Sequence, residues 1–255
     1  MLNLIDTHSH LYLPDFKQDR AAVVQRAGAQ GVTRIYLPGI DSQVIDEMMA
    51  LEAAYPDLFS CMMGLHPCSV RENFLEELDI VRSWLDKRPF AAVGEIGLDF
   101  YWDTSFEQQQ YEAFRLQMQW AAERQLPIVI HTRNAMDETI GTVKPFADQG
   151  LTGIFHCFSG NAHQARQIMD MGFMLGIGGV VTYMKAGLAE VIAEIGIDNL
   201  VLETDAPYLT PVPFRGKRNE SSYLTYIVEK IAAVTGRAIE EVSAVTTANA
   251  KKVFR

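Results

Sequence analysis

The sequence predicts a single-domain α/β protein that folds as a (β/α)8 TIM barrel. Eight short apolar segments alternate with helical segments along the chain, which is typical of parallel βα units. The length agrees, because 255 residues divided among eight units gives about 32 residues per unit, and a complete barrel takes roughly 250 residues. We therefore expect one domain spanning residues 1–255.

The eight predicted strands are runs of mostly apolar residues. Strands that are buried on both faces of a parallel sheet need such near-continuous apolar sequences. The runs cover residues 2–5, 34–37, 59–64, 91–95, 128–131, 153–156, 173–177 and 200–203. Helical spacing predicts helices that include residues 19–29, 44–55, 107–124, 162–171 and 223–235. The tail 238–255 predicts a further helix or two under the barrel.

Glycine or proline stands where several of these helices should end, for example at Gly31, Pro56 and Gly172. An open doubly wound sheet is the alternative fold. That fold more often carries a glycine-rich nucleotide loop after its first strand, whereas here the first strand continues into Asp6-Thr7-His8-Ser9-His10. The sequence therefore favours the closed barrel.

The composition is that of an ordinary globular protein, with 48% hydrophobic and 21% charged residues. The start lacks the features of a signal peptide, no apolar run approaches a membrane span, and three cysteines do not make a disulfide framework. We expect a cytoplasmic protein that is a monomer and has no membrane partner. The net charge of −10 argues against a broad basic surface that binds nucleic acid. A phosphate group must therefore bind where positive charge is local.

Histidines and carboxylates recur at or just beyond the ends of predicted strands. In a barrel, the carboxyl ends of all strands converge on one rim, where active sites lie. Imidazole nitrogens and carboxylate oxygens are the ligands of hydrolytic metal sites, and two ions can share one carboxylate. The residues concerned are His8, His10, His66, Glu95, His131, His156 and Asp205.

Each of these residues also has an ordinary structural interpretation. His8 and His10 could face water from a loop, and Glu95 could pair with a buried Arg or Lys. A histidine at a strand end could be a hydrogen-bonded core residue, and Asp205 could cap a helix. The repetition at the same register of successive strands favours a metal site over these separate explanations. Cys157, which follows a site histidine on an alternating strand, is expected to point away from the site.

Taken in order, seven motifs resemble those of the TatD family of metal-dependent hydrolases, a branch of the amidohydrolase-type barrels. The resemblance runs from Asp6 to about Asn249. The motifs are Asp6-Thr7-His8-Ser9-His10-Leu11, Gly64-Leu65-His66-Pro67, Gly94-Glu95-Ile96-Gly97-Leu98-Asp99, His131-Thr132-Arg133, His156-Cys157-Phe158-Ser159-Gly160, Glu203-Thr204-Asp205-Ala206-Pro207-Tyr208-Leu209 and Arg215-Gly216-Lys217-Arg218-Asn219-Glu220.

The resemblance implies two metal sites and an activity. The first site would consist of His8, His10, Glu95 and Asp205, and the second of Glu95, His131 and His156. Family members act on DNA ends as 3′-to-5′ deoxyribonucleases, which is the activity implied here.

Two positions depart from the family pattern. The family's usual histidine before Arg-Gly-Lys is Phe214 here, and the proline usual after Asn-Glu is Ser221. Both lie in a loop that is expected to border the substrate, so they bear on the substrate more than on the metals.

The expected mechanism is hydrolysis by a water that two divalent ions acidify. Asp205 is the candidate general base, and Glu95 is the carboxylate that both ions share. Glu203 is expected to orient a ligand histidine. Histidine-rich ligation favours Zn²⁺ or Mn²⁺ over Mg²⁺, although each of the three remains possible.

Five further residues are expected to contact phosphate. His66 and Arg133 are placed to contact a phosphoryl oxygen, Arg133 through a bidentate contact. Arg215, Lys217 and Asn219 belong to the loop expected to hold the next phosphate. Two divalent ions would make the mouth of the site positive, so the expected substrate is a single-stranded DNA end or a small phosphodiester.

Two other functions remain open at this point. One is hydrolysis of a small ester, lactone or amide by a related barrel; many such barrels bridge their metals with a carboxylated lysine, whereas the fourth strand here ends in Glu95. The other is a non-catalytic metal-binding protein, against which the complete ligand set argues.

Overall fold

The computed structural model describes residues 2–254, and within them the chain forms eight β-strands and nine α-helices. The strands are β1 (Leu4–Asp6), β2 (Val32–Leu37), β3 (Phe59–Cys61), β4 (Val93–Asp99), β5 (Ile128–Arg133), β6 (Gly153–Phe155), β7 (Met174–Ile177) and β8 (Leu200–Leu202). All eight predicted strands are confirmed, with their ends displaced by a few residues. Met1 and Arg255, the ends of the predicted domain, lie outside the described residues.

The helices follow the strands in alternation. They are α1 (Arg20–Ala29), α2 (Ile45–Ala54), α3 (Phe74–Lys87), α4 (Glu107–Arg124), α5 (Met136–Ala147), α6 (Ala162–Asp170), α7 (Leu188–Ile195), α8 (Leu224–Thr235) and α9 (Ile239–Val253). Helices α3, α5 and α7 are additional to those expected by residue range. Gly31 and Gly172 follow α1 and α6 with φ values of 83° and 82°, a left-handed conformation that glycine adopts without strain and that ends a helix.

The strands form a parallel ring in chain order. Hydrogen bonds define one sheet of β1-β2-β3 and one of β4-β5-β6-β7-β8. Two parallel bridges join the sheets, Met63 with Val93 and Ser9 with Ala206, and Thr7 N donates to the Leu202 carbonyl at 2.9 Å. The predicted (β/α)8 barrel is thereby confirmed.

Side chains from the strands fill the inside of the ring below the site. This interior layer consists of Ile5, Tyr36, Met62, Ala92, Val129, Ile154, Met174 and Val201, together with Ala250 of α9. The remaining apolar residues of the strands face outward and pack against the helices. Phe254 stacks on Tyr36 with ring centroids 3.7 Å apart, so the end of the chain closes this face of the barrel.

None of the helices between residues 2 and 254 combines the length and the apolar character needed to cross a membrane.

Candidate metal centre

The polar residues from the strand ends meet at one rim of the barrel, as expected. They line a cavity of about 610 Å³. Six of the seven histidines and carboxylates predicted for the site line this cavity, and the seventh, His8, is fully buried. The six are His10, His66, Glu95, His131, His156 and Asp205.

Glu95 lies at the centre of the group because β4 has an extra residue at this point. Gly94 pairs with Val129 and Ile96 pairs with Ile130, so Glu95 has no partner on the neighbouring strand. An unpaired residue of this kind is a β-bulge, which redirects side chains near active sites. The bulge turns Glu95 into the ring while Ile96, its neighbour, still packs outside.

One oxygen of the Glu95 carboxylate faces the two histidines that follow β1. Oε2 lies 3.0 Å from Nε2 of His8 and 3.8 Å from Nε2 of His10. Asp205 Oδ1 lies 3.8 and 3.4 Å from the same two nitrogens. The four groups therefore surround one small volume.

The other oxygen of Glu95 faces three different histidines. Oε1 lies 2.9 Å from Nδ1 of His131, 3.4 Å from Nε2 of His66 and 3.6 Å from Nε2 of His156. The carboxylate thus presents one oxygen to each of two groups of imidazoles. This is the arrangement that two cations sharing one carboxylate require.

The protonation of His10 follows from its partner, Tyr12. The Tyr12 hydroxyl donates to the Pro38 carbonyl at 2.6 Å and lies 2.8 Å from Nδ1 of His10. A hydroxyl has one hydrogen, so His10 must donate from Nδ1 to the oxygen of Tyr12. Its Nε2 then carries the free lone pair and points at the centre of the site, as a metal ligand must.

His66 has the opposite arrangement. Its Nδ1 accepts a hydrogen bond from the backbone N–H of Cys68 at 3.0 Å. Burial lowers the pKa of His66, so the ring is neutral and its single proton is on Nε2, the atom that faces Glu95. His66 therefore offers a donor to the cavity and not a lone pair, which agrees with its predicted role outside the metal ligands.

His131 lies between two carboxylates, one of which the sequence analysis did not select. Its Nδ1 faces Glu95, and its Nε2 lies 2.8 Å from Oδ2 of the buried Asp99. Burial alone would lower the pKa of His131, but hydrogen bonds to Asp99 and Glu95 raise it. Carboxylates that hold the second nitrogen of a ligand histidine are common around metals. Asp99 is the last residue of β4 and of the motif Gly94-Glu95-Ile96-Gly97-Leu98-Asp99, and this carboxylate at a strand end is the signal that could have identified it.

His156 is oriented by Glu203, as expected for that carboxylate. Nδ1 of His156 lies 3.0 Å from Oε1 of the fully buried Glu203, within the distance of an ion pair. Burial would lower the pKa of His156, but the charges of Glu203, Glu95 and Asp205 raise it to about 10. Glu203 fits only because Gly176 faces it, since a Cβ at that position would lie 2.2 Å from its Oε2.

Asp205 is held in place by a second buried aspartate. Asp205 has a φ of 56° and its N–H donates to the His8 carbonyl at 2.9 Å. The carboxylate of Asp6 accepts hydrogen bonds from the N–H and hydroxyl of Thr204 at 2.9 and 2.7 Å. Burial raises the pKa of Asp6 to about 7. Asp6 thus ties β1 to the segment that carries Asp205.

The donor set fits divalent cations. Two imidazole nitrogens, Nε2 of His8 and Nε2 of His10, lie 3.3 Å apart. Nδ1 of His8 is buried and has no hydrogen-bond partner among residues 2–254. Neutral imidazoles beside a shared carboxylate are what hydrolytic metal sites provide. The carboxylates of Glu203, Glu95 and Asp205 raise the pKa of His156 because they stabilise positive charge. They would stabilise the positive charge of a metal ion in the same way.

The structure corrects the prediction for Asn219. Its side chain is fully buried and donates to the carbonyls of Thr204 and Tyr208, both at 2.7 Å, while its oxygen accepts from the N–H of Glu220 at 2.9 Å. The amide is used within the protein, so Asn219 is not placed to bind phosphate. It shapes the segment after β8.

Two other predicted phosphate contacts lie away from the cavity. Lys217 lines a separate cleft together with Arg26 and Tyr223, and its Nζ lies 5.7 Å from the centre of the Phe214 ring. The guanidinium of Arg215 stacks on Tyr183 at 4.4 Å, and Arg215 does not line the cavity. In both residues the cationic group lies near an aromatic ring, and neither residue is among those that line the cavity.

Arg133 does line the cavity, where the sequence placed it. Cys157 lines it as well, against expectation. Strand β6 ends at Phe155 and Cys157 has a φ of 48°, so the alternation of side chains no longer applies at that position.

Comparison with known proteins agrees with this geometry. The sequence pattern of the family described as TatD related DNase matches residues 5–255. The uncharacterized metal-dependent hydrolase YabD of Bacillus subtilis is 41% identical, over 99% of each chain. A protein of Dickeya dadantii named 3′-5′ ssDNA/RNA exonuclease TatD is 33% identical, over 99% of this chain and 98% of its own. The crystal structure of the TatD homolog YjjV from Escherichia coli superposes with a TM-score of 0.92 at 29% identity, covering 98% of this chain and 97% of that one.

Proposed function

The chain belongs to the TatD family of metal-dependent hydrolases, and from this premise we propose that it uses two divalent ions to remove nucleotides from the 3′ end of single-stranded DNA. Relatives that are named 3′-5′ ssDNA/RNA exonucleases support the substrate and the direction. Arg133 and His66 line the cavity, and their hydrogen-bond donors support the proposal that it binds a phosphate group.

The observation that carries the proposal is the division of the Glu95 carboxylate between two groups of imidazoles. Oε2 serves His8 and His10, and Oε1 serves His131 and His156. Two ions held by these residues would supply Lewis acidity and an activated water for cleavage of a phosphodiester. Zn²⁺ and Mn²⁺ suit these ligands better than Mg²⁺.

The other residues of the cavity then have distinct tasks. Asp205 has a carboxylate oxygen beside His8, His10 and His156, where it can accept a proton from the attacking water. Glu203 and Asp99 keep the rings of His156 and His131 in place. None of these tasks needs a basic surface outside the cavity, so they are compatible with the net negative charge of the chain.

The donor of His66 and the guanidinium of Arg133 are the groups suited to a phosphoryl oxygen. The Nε2–H of His66 is a neutral donor, and Arg133 supplies a fork of charged donors that can bind two oxygens at once. A donor that strengthens its hydrogen bond as negative charge develops on phosphate contributes to the rate and not only to binding.

The test is a cleavage screen on metal-reconstituted protein. Substrates are a linear single-stranded oligonucleotide labelled at the 5′ end, the same sequence as a closed circle, single-stranded RNA, and a simple aryl ester. We expect a ladder of products shortened from the 3′ end, no cutting of the circle, and no activity in Glu95→Gln.

Efficient cutting of the circle would show internal cleavage and contradict the exonuclease proposal. Turnover of the ester alone would assign the site to small-molecule hydrolysis. Metal binding without turnover on any substrate would leave only a binding protein.

A further inference from the structure

Two aromatic side chains stand exposed beside the cavity on the loop that follows β4. Tyr101 is 51% exposed and Trp102 is 67% exposed, and Trp102 lines the cavity. Their ring centroids are 4.8 Å apart in an edge-to-face arrangement. We call this pair the aromatic platform. Large aromatic rings left in water beside a binding site commonly belong to a ligand surface, because covering them removes apolar area from water.

The backbone that carries the platform is bonded to Asp99, the residue that also contacts His131. Oδ1 of Asp99 accepts hydrogen bonds from the N–H groups of Tyr101 and Trp102 at 3.0 and 3.1 Å. The side chain of the buried Gln110 in turn accepts from Asp99 N at 2.8 Å and donates to Asp99 O at 3.1 Å. A ligand that binds the platform therefore does not have to order this loop first.

Arg133 connects the platform to the metal centre. Its guanidinium carbon lies 3.8 Å from the centre of the Tyr101 ring and 5.1 Å from that of Trp102. Among residues 2–254 the guanidinium has no hydrogen bond and no ion pair, so its donors are available to a ligand. Trp102 is the more exposed of the two rings and the one that lines the cavity, so it is the ring that can meet a base there.

An aromatic face next to an uncommitted guanidinium matches the two halves of a nucleotide. A base stacks on an aromatic ring without regard to its identity, and a phosphate binds the guanidinium. Tyr208, which is 53% exposed and follows Asp205, also lines the cavity and provides a further aromatic ring. A volume of about 610 Å³ lies within the range of small-molecule sites.

We propose that Trp102 stacks on the nucleobase adjacent to the phosphodiester that is cleaved, while Arg133 binds a phosphate of the same nucleotide. The inference rests on the proposed nuclease function. It adds a contact through which a chain of net charge −10 can bind nucleic acid without a basic groove. Stacking contributes affinity without salt dependence and without base selectivity.

The experiment compares substrates with and without the base. A single-stranded oligonucleotide and its copy with abasic residues at the last three 3′ positions are degraded by the metal-loaded wild type, Trp102→Ala and Trp102→Phe. We expect Trp102→Ala to lose on the order of tenfold in kcat/KM on the normal strand. On the abasic strand the wild type should be equally poor and Trp102→Ala should change nothing further. Trp102→Phe, which keeps a smaller ring, should lie between.

Leu75→Ala is the matched control, because Leu75 is an exposed apolar residue of α3 that lies outside the cavity. It should behave as the wild type on both strands. Equal losses for Trp102→Ala on the two strands, or no loss on either, would overturn the proposal.

A binding measurement separates failure of the platform from failure of the nuclease proposal. Deoxyadenosine monophosphate and deoxyribose phosphate are titrated into metal-loaded protein while tryptophan fluorescence is recorded, with Trp102→Phe as the reference. If the wild type degrades no nucleic acid, the nuclease proposal fails, and this titration decides the platform alone. Quenching by the nucleotide and not by the sugar phosphate supports stacking, whereas equal or absent quenching overturns it.

Discussion

The barrel interior has two layers, an apolar layer below and a polar layer that lines the cavity above. The same strands lead into both, and residues two positions apart can belong to different layers. On β5, Val129 belongs to the apolar interior layer and His131 lines the cavity. The corresponding pair at β6 is Ile154, within the strand, and His156, the first residue after it. Alternation sends residues two apart to the same face, so these two segments each supply one apolar residue to the lower layer and one histidine to the cavity.

The comparison teaches that stability and chemistry occupy adjacent layers of one barrel. The lower layer excludes water and is closed by α9 and Phe254. The upper layer collects imidazoles and carboxylates that are costly to bury without a cation. Substitutions in the upper layer should therefore change metal binding and activity, and substitutions in the lower layer should change the free energy of unfolding.

Glu95→Gln is the strongest test of the upper layer. The amide has one neutral oxygen where two charged oxygens now face two groups of histidines, so both metal sites should weaken together. We expect metal content to fall at both sites and kcat/KM to drop on the order of 10³-fold or more. Metal analysis and a cleavage assay measure these, with circular dichroism to verify the fold. Retention of two ions would contradict the shared-carboxylate arrangement.

Ile154→Ala is the matching test of the lower layer. The substitution leaves a cavity in a fully buried position, which should lower the free energy of unfolding by about 2–5 kcal/mol. Because the substitution removes no group that lines the cavity, kcat of the folded, metal-loaded protein should not change. Urea unfolding and steady-state kinetics measure both quantities. A loss of kcat with unchanged metal content would show that the two layers are not independent.

His66→Ala tests whether His66, in the upper layer, is a hydrogen-bond donor to the substrate or a metal ligand. The donor of His66 contacts developing charge in the proposed reaction, and such a contact is worth about 1.5–3 kcal/mol, or roughly 10-fold to 100-fold in kcat/KM. Metal content should stay as in the wild type, because Nδ1 of His66 is committed to the Cys68 N–H. If the variant loses an ion instead, His66 is a ligand.

The smallest expected effect comes from an ion pair on the flank, which belongs to neither layer. Arg26 donates two hydrogen bonds to Glu220, at 2.8 and 2.6 Å, and joins α1 to the segment after β8. Burial would raise the pKa of Glu220, but the bonds from Arg26 and Ser222 lower it. The stabilisation is therefore present at neutral pH and is lost as the pH falls through the lowered pKa.

Arg26→Met should cost about 1 kcal/mol in the free energy of unfolding at pH 7, because Arg26 is half exposed and water screens the pair. The difference from the wild type should shrink as the pH is lowered below the usual range of a glutamate. Chemical unfolding at several pH values measures it. A difference that stays constant with pH would assign the effect to packing, and the metal content serves as the control that must not change.

The sequence by itself determined the strands, the rim and most of the candidate site. An apolar run followed by a histidine or carboxylate is visible without a structure, since the two-residue period of a strand relates the core to the cavity. Val129 with His131 and Val201 with Glu203 are examples. The same reasoning predicted the correct barrel, because eight such runs separated by helices leave few other topologies.

Only the tertiary structure decided how the rim residues face one another. The bulge at Glu95, the buried amide of Asn219 and the contact of Asp99 with His131 each depend on partners on other elements of the fold. Periodicity describes one strand at a time, and it fails where the backbone leaves the strand conformation, as at Cys157 and Asp205 with their positive φ. Hydrogen-bond satisfaction between distant segments, which no local pattern encodes, therefore determined the final geometry of the site.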